Sequence, residues 1–522
     1  MNRSQLDRRE FLKLAALAPL AAWGATRRPP AGGLLPRPAG ARQAAGPQTP
    51  NILILVFDAL TASNMSLYGY ARQTTPNLDR LAERAVVYQR HFSSGSFTSP
   101  GTASLLTGVY PWTHRALHMR SEILERYAGQ NLFALLPAEY RTFAFTQNPL
   151  AYVLLNQFRS RIQNLEPMGE LADFDSIFSD RLFNNDFYIA SEAEMLQYKE
   201  EFKLPGSLLL SLLEKLRLVR GNRQALAQYQ EEYPRGLIMC RPANPGPQCF
   251  RLESAIDWTL AQAAAEPGRP FAGYVHFYPP HAPYNPAAEF SRMFSDDFLP
   301  PEKPTFIEAQ DQPDVNMRRP RRQYDQSIAH VDAEFARLFD GLQKAGVLEN
   351  TLVILTSDHG ELMERGILGH FTSALYRPLT HIPLLVFPPQ QAARQDVHLP
   401  TSAVDLLPSL LALSGASLPD GLEGQPLPEF GLANPDPSRS VYTVEAKRNP
   451  KAAPLTHASL ALVRWPYELV RYTGYPDFDD FEEVYDLEND PEELSNLATP
   501  GSPLLKSLQD ELDEKLHSVG AV

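Results

Sequence analysis

Cysteine is nearly absent from this chain: 522 residues contain two, Cys240 and Cys249. That is too few for a disulfide-built scaffold or a cysteine-rich zinc module. The pair brackets Arg-Pro-Ala-Asn-Pro-Gly-Pro-Gln with no histidine pair nearby, so a surface disulfide in an oxidising compartment is expected rather than a zinc site. Basic charge is not in excess either. Lys and Arg number 48 against 61 Asp and Glu, a net charge of -13, so the surface as a whole offers nothing to nucleic acid and any pull on an anionic substrate is local. No internal repeat is present. At 43% hydrophobic and 21% charged, the chain can bury one large core and a smaller appended one.

The N-terminus runs from Asp7-Arg8-Arg9-Glu10-Phe11-Leu12-Lys13 into the apolar stretch Leu14 to Ala25, followed by Arg27 and Arg28. The stretch is too short for a comfortable membrane span. Residues 1–28 resemble a twin-arginine export signal, which implies the twin-arginine machinery as a partner and a destination in the periplasm, at the cell surface or outside the cell. No clean small-x-small cleavage site follows, which leaves membrane association through an uncleaved signal open. Residues 29–50, rich in Pro, Gly and Ala, read as an extended tether.

From Asn51 the pattern becomes regular. Asn51 to Phe57 is an apolar run ending at Asp58, as expected of a strand buried on both faces of a parallel sheet. Thr75-Pro76-Asn77-Leu78 opens a helix, with Thr75 suited to cap it and Pro76 to its first turn. A second helix is expected after a Thr98-Ser99-Pro100 turn. Strands are predicted at Phe271 to Phe277 and Thr351 to Thr356, and a helix at Tyr324 to Ala345, where Ile328, Val331, Phe335, Leu338, Phe339 and Leu342 recur near a 3.6 period. Residues 160–250 read as an insertion, with helical patterns such as Ser207 to Leu216. Arg318, Arg319, Arg321 and Arg322 read as a solvated cluster before the Tyr324 helix. The aromatics between Tyr467 and Glu483 read as the core of a small subdomain. The fold class is α/β, with a mostly parallel central sheet flanked by helices over 51–430 and a small C-terminal α+β subdomain over 431–522.

Six segments then appear in one order: Asn51 to Asp58; Thr75 to Asp79; Thr98 to Gly108 with Tyr110-Pro111; Pro280-His281-Ala282-Pro283-Tyr284; Asn350 to Glu361; and Val484 to Glu492 with Asn496-Leu497-Ala498. Together they resemble the sulfatase branch of the alkaline phosphatase superfamily. The resemblance implies a nucleophile at position 98, where sulfatases carry a Cys or Ser that becomes formylglycine. Here it is Thr98, not a known precursor of that aldehyde but a hydroxyl able to attack directly once a cation lowers its pKa. Three further departures weaken sulfate recognition: Ala59 replaces a second aspartate, Thr102 replaces the motif arginine, and Phe145-Thr146-Gln147-Asn148-Pro149 lacks a Lys-x-His.

The remaining set, Asp58, Thr98, Asp358 and His359, resembles one zinc site of the nucleotide pyrophosphatases and phosphodiesterases, and the single-metal site of lipoteichoic-acid-type transferases. It implies at least one divalent ion, zinc, manganese or calcium. His281 and His370 are expected near the leaving group and the transferred group, or as part of a second metal site short of a ligand because Pro279 stands where an aspartate would be wanted. His276, His114 and His381 are expected to be structural. The resulting expectation is an exported hydrolase of anionic small-molecule, glycan or lipid esters, phosphoester or phosphodiester before sulfate ester. A sulfatase, a transferase to an alcohol acceptor, and a non-catalytic binder of an anionic glycan or lipid are the alternatives.

Overall fold

A computed structural model describes residues 49–173, 220–241, 244–310, 317–430 and 436–521. The signal segment 1–28, nearly all of the tether and the Ser207 to Leu216 pattern lie outside the described residues. Among the described residues no helix is long and apolar enough to cross a membrane.

The three predicted strands form over the expected residues, and apart from Asn51 every residue in them is buried. They lie in an eight-stranded sheet ordered Gln395–Val397, Val86–Tyr88, Leu384–Phe387, Thr351–Thr356, Asn51–Phe57, Phe271–Phe277, Arg141–Thr146, Asn164–Leu165. Only Leu384–Phe387 runs against its neighbours. The other pairings are parallel, as apolar runs covered on both faces require. Register places Val56 opposite both His276 and Thr356, so the residues just beyond, Asp58 and Asp358, emerge together at the C-terminal edge. That edge is where open α/β sheets hold ligands.

The long helix covers Arg318–Lys344, and all six of its periodic apolar residues are buried. On the core side Phe57 stacks on Phe277 at 4.9 Å and meets Phe335 edge-on at 6.5 Å. The helix starts six residues earlier than predicted, so the arginine cluster forms its first turns instead of preceding it. Pro320 lacks an N–H, which the first turn of a helix does not need. Arg321 is buried and donates to the Met363 carbonyl at 2.6 Å, which removes it from any solvated cluster. Thr75 occupies the cap position of the Pro76–Leu81 helix, but its hydroxyl bonds Asp79 and the Leu67 amide in place of the helix N–H groups.

A second, antiparallel sheet runs Val441–Glu445, Ala458–Arg464, Tyr467–Thr473, Phe481–Asp486, and the helix Pro503–Ser518 buries Leu505, Leu508, Leu512 and Leu516. Tyr472, Tyr475, Phe478 and Phe481 cluster with Phe306 as core. Cys240 and Cys249 are joined, but the bridge is buried with Ala225, Tyr233 and Leu237 rather than at the surface. The two cysteines sit on paired strands, Ile238–Arg241 and Asn244–Phe250, whose inner side packs on these residues.

Candidate active site

Thr98 is the first residue of the helix Thr98–Thr107, so the expected turn is absent and Phe97 stands in the cap position. The helix N-terminus, with its first amides lacking intrahelical acceptors, therefore sits at the sheet edge. It can do so because residue 101 is glycine: a Cβ there would lie 2.2 Å from the Asp358 carbonyl oxygen. Ala59 adopts a left-handed φ of 58°, directing its amide at Asp358 Oδ1 (3.3 Å) while its carbonyl accepts from the Tyr324 hydroxyl at 2.6 Å.

Asp58, Thr98, Asp358 and His359 are all buried and converge. His359 Nε2 lies 3.5 Å from Thr98 Oγ1, 3.4 Å from Asp58 Oδ1 and 3.6 Å from Asp358 Oδ2. The His359 Nδ1–H donates to the Gly360 carbonyl at 2.8 Å, which turns Nε2 inward. Among the described residues, Asp58, Asp358 and His359 form one of two groups of side chains able to surround an ion. The other, Glu253, His330 and Glu334, is occupied by Tyr233 and Arg337. His276, His281 and His370 belong to neither group.

Two residues that sequence reasoning missed join the site. Asn148 caps the Pro149–Gln157 helix through Oδ1, accepting from Leu150 N at 2.7 Å. That bond fixes the amide, so Nδ2 donates to Asp58 Oδ2 and to Thr98 Oγ1 (3.1 Å). Its signal is the segment after Phe145, where the lack of a Lys-x-His draws attention to cations and away from an amide. His276, expected to be structural, is fully buried, with Nε2 3.6 Å from Asp58 Oδ2 and 3.7 Å from Asp358 Oδ2. It escapes notice because it lies within an apolar strand. His114 and His381 are structural as expected: His114 bonds Ser104 and the Ala116 amide, and His381 the Gln89 carbonyl.

Burial would raise the Asp58 carboxyl, but the imidazoles of His281, His276 and His359 hold it well below the usual carboxylate range. Burial would likewise lower His359, but Asp358 and Asp58 push it up to about 9. Asp58 Oδ1, Asp358 Oδ2 and His276 Nε2 nevertheless have no hydrogen-bond partner. Buried orphans of this kind are rare, and a divalent cation among oxygen and nitrogen donors would satisfy all three.

Beyond His359, its ring centroid 4.4 Å away, lies His370, and His281 is a further 4.9 Å on. The His370 Nδ1–H donates to Glu361 Oε1 at 2.9 Å, and the Tyr284 hydroxyl donates to Glu361 Oε2 at 3.2 Å. Burial holds His370 below its ordinary value. The His281 Nδ1–H donates to the Ala282 carbonyl at 2.6 Å, so Nε2 is its second ring nitrogen, outside that bond. All six predicted site residues thus form one contiguous group.

Residues 50–416 match the sulfatase family, and residues 368–521 match the C-terminal region of N-sulphoglucosamine sulphohydrolase. The chain belongs to the sulfatase family. It is an ester hydrolase of the alkaline phosphatase superfamily, and enzymes of this family are metal-dependent. The choline-sulfatase of Rhizobium meliloti is 25% identical over 482 residues, covering 87% of this chain and 84% of that protein. The ulvan-active sulfatase of Formosa agariphila is 26% identical over 480 residues, covering 90% and 81%. The phosphonate monoester hydrolase of Agrobacterium radiobacter superposes with a TM-score of 0.64 at 21% identity over 90% of this chain and 95% of that one, a likeness of fold.

Proposed function

We propose that this sulfatase-family enzyme is an exported, cation-dependent hydrolase of anionic esters that prefers phosphorus to sulfur and works through a covalent Thr98 ester. The observation that carries the reading is Thr98 itself. A threonine hydroxyl stands at the position where the family carries Cys or Ser, hydrogen-bonded to Asn148 and 3.5 Å from His359.

When bound by Asp58, Asp358, His359 and the Thr98 oxygen, a divalent cation supplies Lewis-acid charge and lowers the pKa of the neighbouring hydroxyl. The Thr98 hydroxyl releases its proton to solvent, its oxygen attacks phosphorus and the bond to the leaving oxygen breaks. His281 gives that oxygen a proton. Asn148 and the amino end of the nucleophile helix face the oxygens on which charge grows. Water then attacks the phosphoryl group and passes a proton to His281, the Thr98 ester breaks, and Thr98 takes a proton back from solvent. Glu361 holds His370 in one tautomer, so that His370 can clamp the transferred group.

Sulfate-ester hydrolysis is the second reading, favoured by relatives that bear sulfatase names. Matched nitrophenyl sulfate, phosphate, phosphodiester and phosphonate substrates separate the two. Activity on phosphorus esters that exceeds activity on the sulfate supports the first reading, and a preference for the sulfate overturns it. Export rests on Arg8 and Arg9: the Lys-Lys variant should stay in the cytoplasm, and its normal export would refute the twin-arginine route.

A further inference from the structure

We propose that His276 is a ligand of the cation, so that the centre is built from two carboxylates and two imidazoles around Thr98 and selects a zinc-class transition metal over calcium. The inference rests on the reading of Asp58, Asp358 and His359 as cation ligands and goes beyond it in ligand set and metal class.

His276 is paired with Val56 across one strand boundary, and Val56 with Thr356 across the next. Side chains repeat on a face every second residue, so Asp58 and Asp358 stand on the face that His276 occupies, one step nearer the edge. His276 is thereby the floor beneath the two carboxylates. It is fully buried, and no solvent reaches its ring.

The His276 ring is bonded on one side only. Nδ1 lies 3.1 Å from the Tyr274 hydroxyl, whereas Nε2 has no partner. The other two buried histidines expected to be structural have their Nε2 satisfied, by Ser104 in His114 and by the Gln89 carbonyl in His381. If Nδ1 carries the proton toward Tyr274, Nε2 presents a lone pair between Asp58 and Asp358. A partner that fixes the far nitrogen in this way is the usual companion of a metal-bound imidazole.

Donor pairs across the group are separated by 3.4 Å (His359 to Asp58), 3.6 Å (His359 to Asp358), 3.6 Å (His276 to Asp58) and 3.7 Å (His276 to Asp358). Thr98 Oγ1 is 3.5 Å from His359 Nε2. These separations are long for hydrogen bonds and short enough for one cation to lie between each pair, with His359 nearest Asp58 Oδ1 and His276 nearest Asp58 Oδ2. Calcium takes six to eight oxygens, so a set with two nitrogens suits zinc, manganese or cobalt instead.

The test uses the full chain, stripped with chelator and titrated with Zn²⁺, Co²⁺ and Ca²⁺, for the wild type and for His276→Ala, His276→Gln, Tyr274→Phe and Asp358→Ala. The wild type should bind Zn²⁺ and Co²⁺ far more tightly than Ca²⁺. His276→Ala and His276→Gln should weaken Zn²⁺ and Co²⁺ by about 100-fold, with a changed visible spectrum of the Co²⁺ form, and Tyr274→Phe by about 10-fold. Ca²⁺ affinity should move little. If both His276 variants bind Zn²⁺ as the wild type does with an unchanged Co²⁺ spectrum while Asp358→Ala loses it, the inference fails and the site reading stands. If Asp358→Ala also binds normally, the site reading fails with it. Should the His276 variants not fold, X-ray absorption of the Zn²⁺-loaded wild type decides: two imidazole nitrogens support the inference, and one overturns it.

Discussion

Replacing Gly101 with alanine tests whether the nucleophile helix must touch the strand end that carries Asp358. The added Cβ would lie 2.2 Å from the Asp358 carbonyl oxygen, where ordinary contact begins near 3.4 Å. The helix and the Asp358 segment must therefore separate by about 1.2 Å, the difference between those two distances. Both partners are backbone, so no side-chain rotation relieves the clash. A displacement of about 1 Å at a reacting group costs on the order of 100-fold in rate. Overpacking of a buried contact costs about 1–3 kcal/mol of stability. Gly129→Ala is the control, since the Cβ it adds meets nothing within 4 Å and the substitution should leave stability within about 0.5 kcal/mol. Urea unfolding and kcat on the best phosphoester would be measured for both variants. A Gly101→Ala enzyme with wild-type kcat and unfolding midpoint would refute the close approach and the geometry built on it.

Asn148→Ala removes the amide shared by Thr98 and Asp58 and should lower kcat by about 100-fold or more with a smaller change in KM; an unchanged kcat would deny Asn148 a part in the reaction. Asp358→Ala should lose bound metal and activity together, and full metal occupancy in this variant would contradict its assignment. Burial raises Glu493 to about 7 and Glu468 well above its ordinary value. The native state then holds protons that the unfolded chain has released, so stability falls as pH rises from about 4.5 through 7. Glu468→Gln should flatten that fall in urea titrations at pH 5 and pH 8, and an unchanged slope would count against it. Cys240→Ser with Cys249→Ser should cost about 2–3 kcal/mol without loss of kcat, because the bridge lies in its own small cluster; equal stability would deny the bridge a structural role.

Much of this architecture was legible in the sequence because it rests on runs and periods. The three central strands are continuous apolar stretches ending in chemistry, and the Arg318–Lys344 helix announces its buried face every third or fourth residue. The family resemblance singled out Asp58, Thr98, Asp358, His359, His281 and His370, and the fold brings all six side by side. Helix starts were less readable: Thr98 begins its helix because Gly101 lets the backbone approach Asp358, a contact between residues more than 250 positions apart. Arg318 and its neighbours look solvated in one dimension, although Arg321 reaches inward to the Met363 carbonyl. His276 and Asn148 were hidden for a related reason. One is a polar residue inside an apolar strand and the other a helix cap, and only the register between neighbouring strands reveals that both face Asp58.

The central claim is that Thr98 carries the transferred group, and acid-quenched mass spectrometry during turnover of a phosphoester reads it directly. A peptide containing phosphorylated Thr98 should accumulate in the wild type when breakdown is slow and should be absent from Thr98→Ala, which loses turnover while still binding metal; Thr98→Ser should retain activity. An active enzyme whose Thr98 stays unmodified throughout turnover, or undiminished activity in Thr98→Ala, would contradict the account and make water the attacking group.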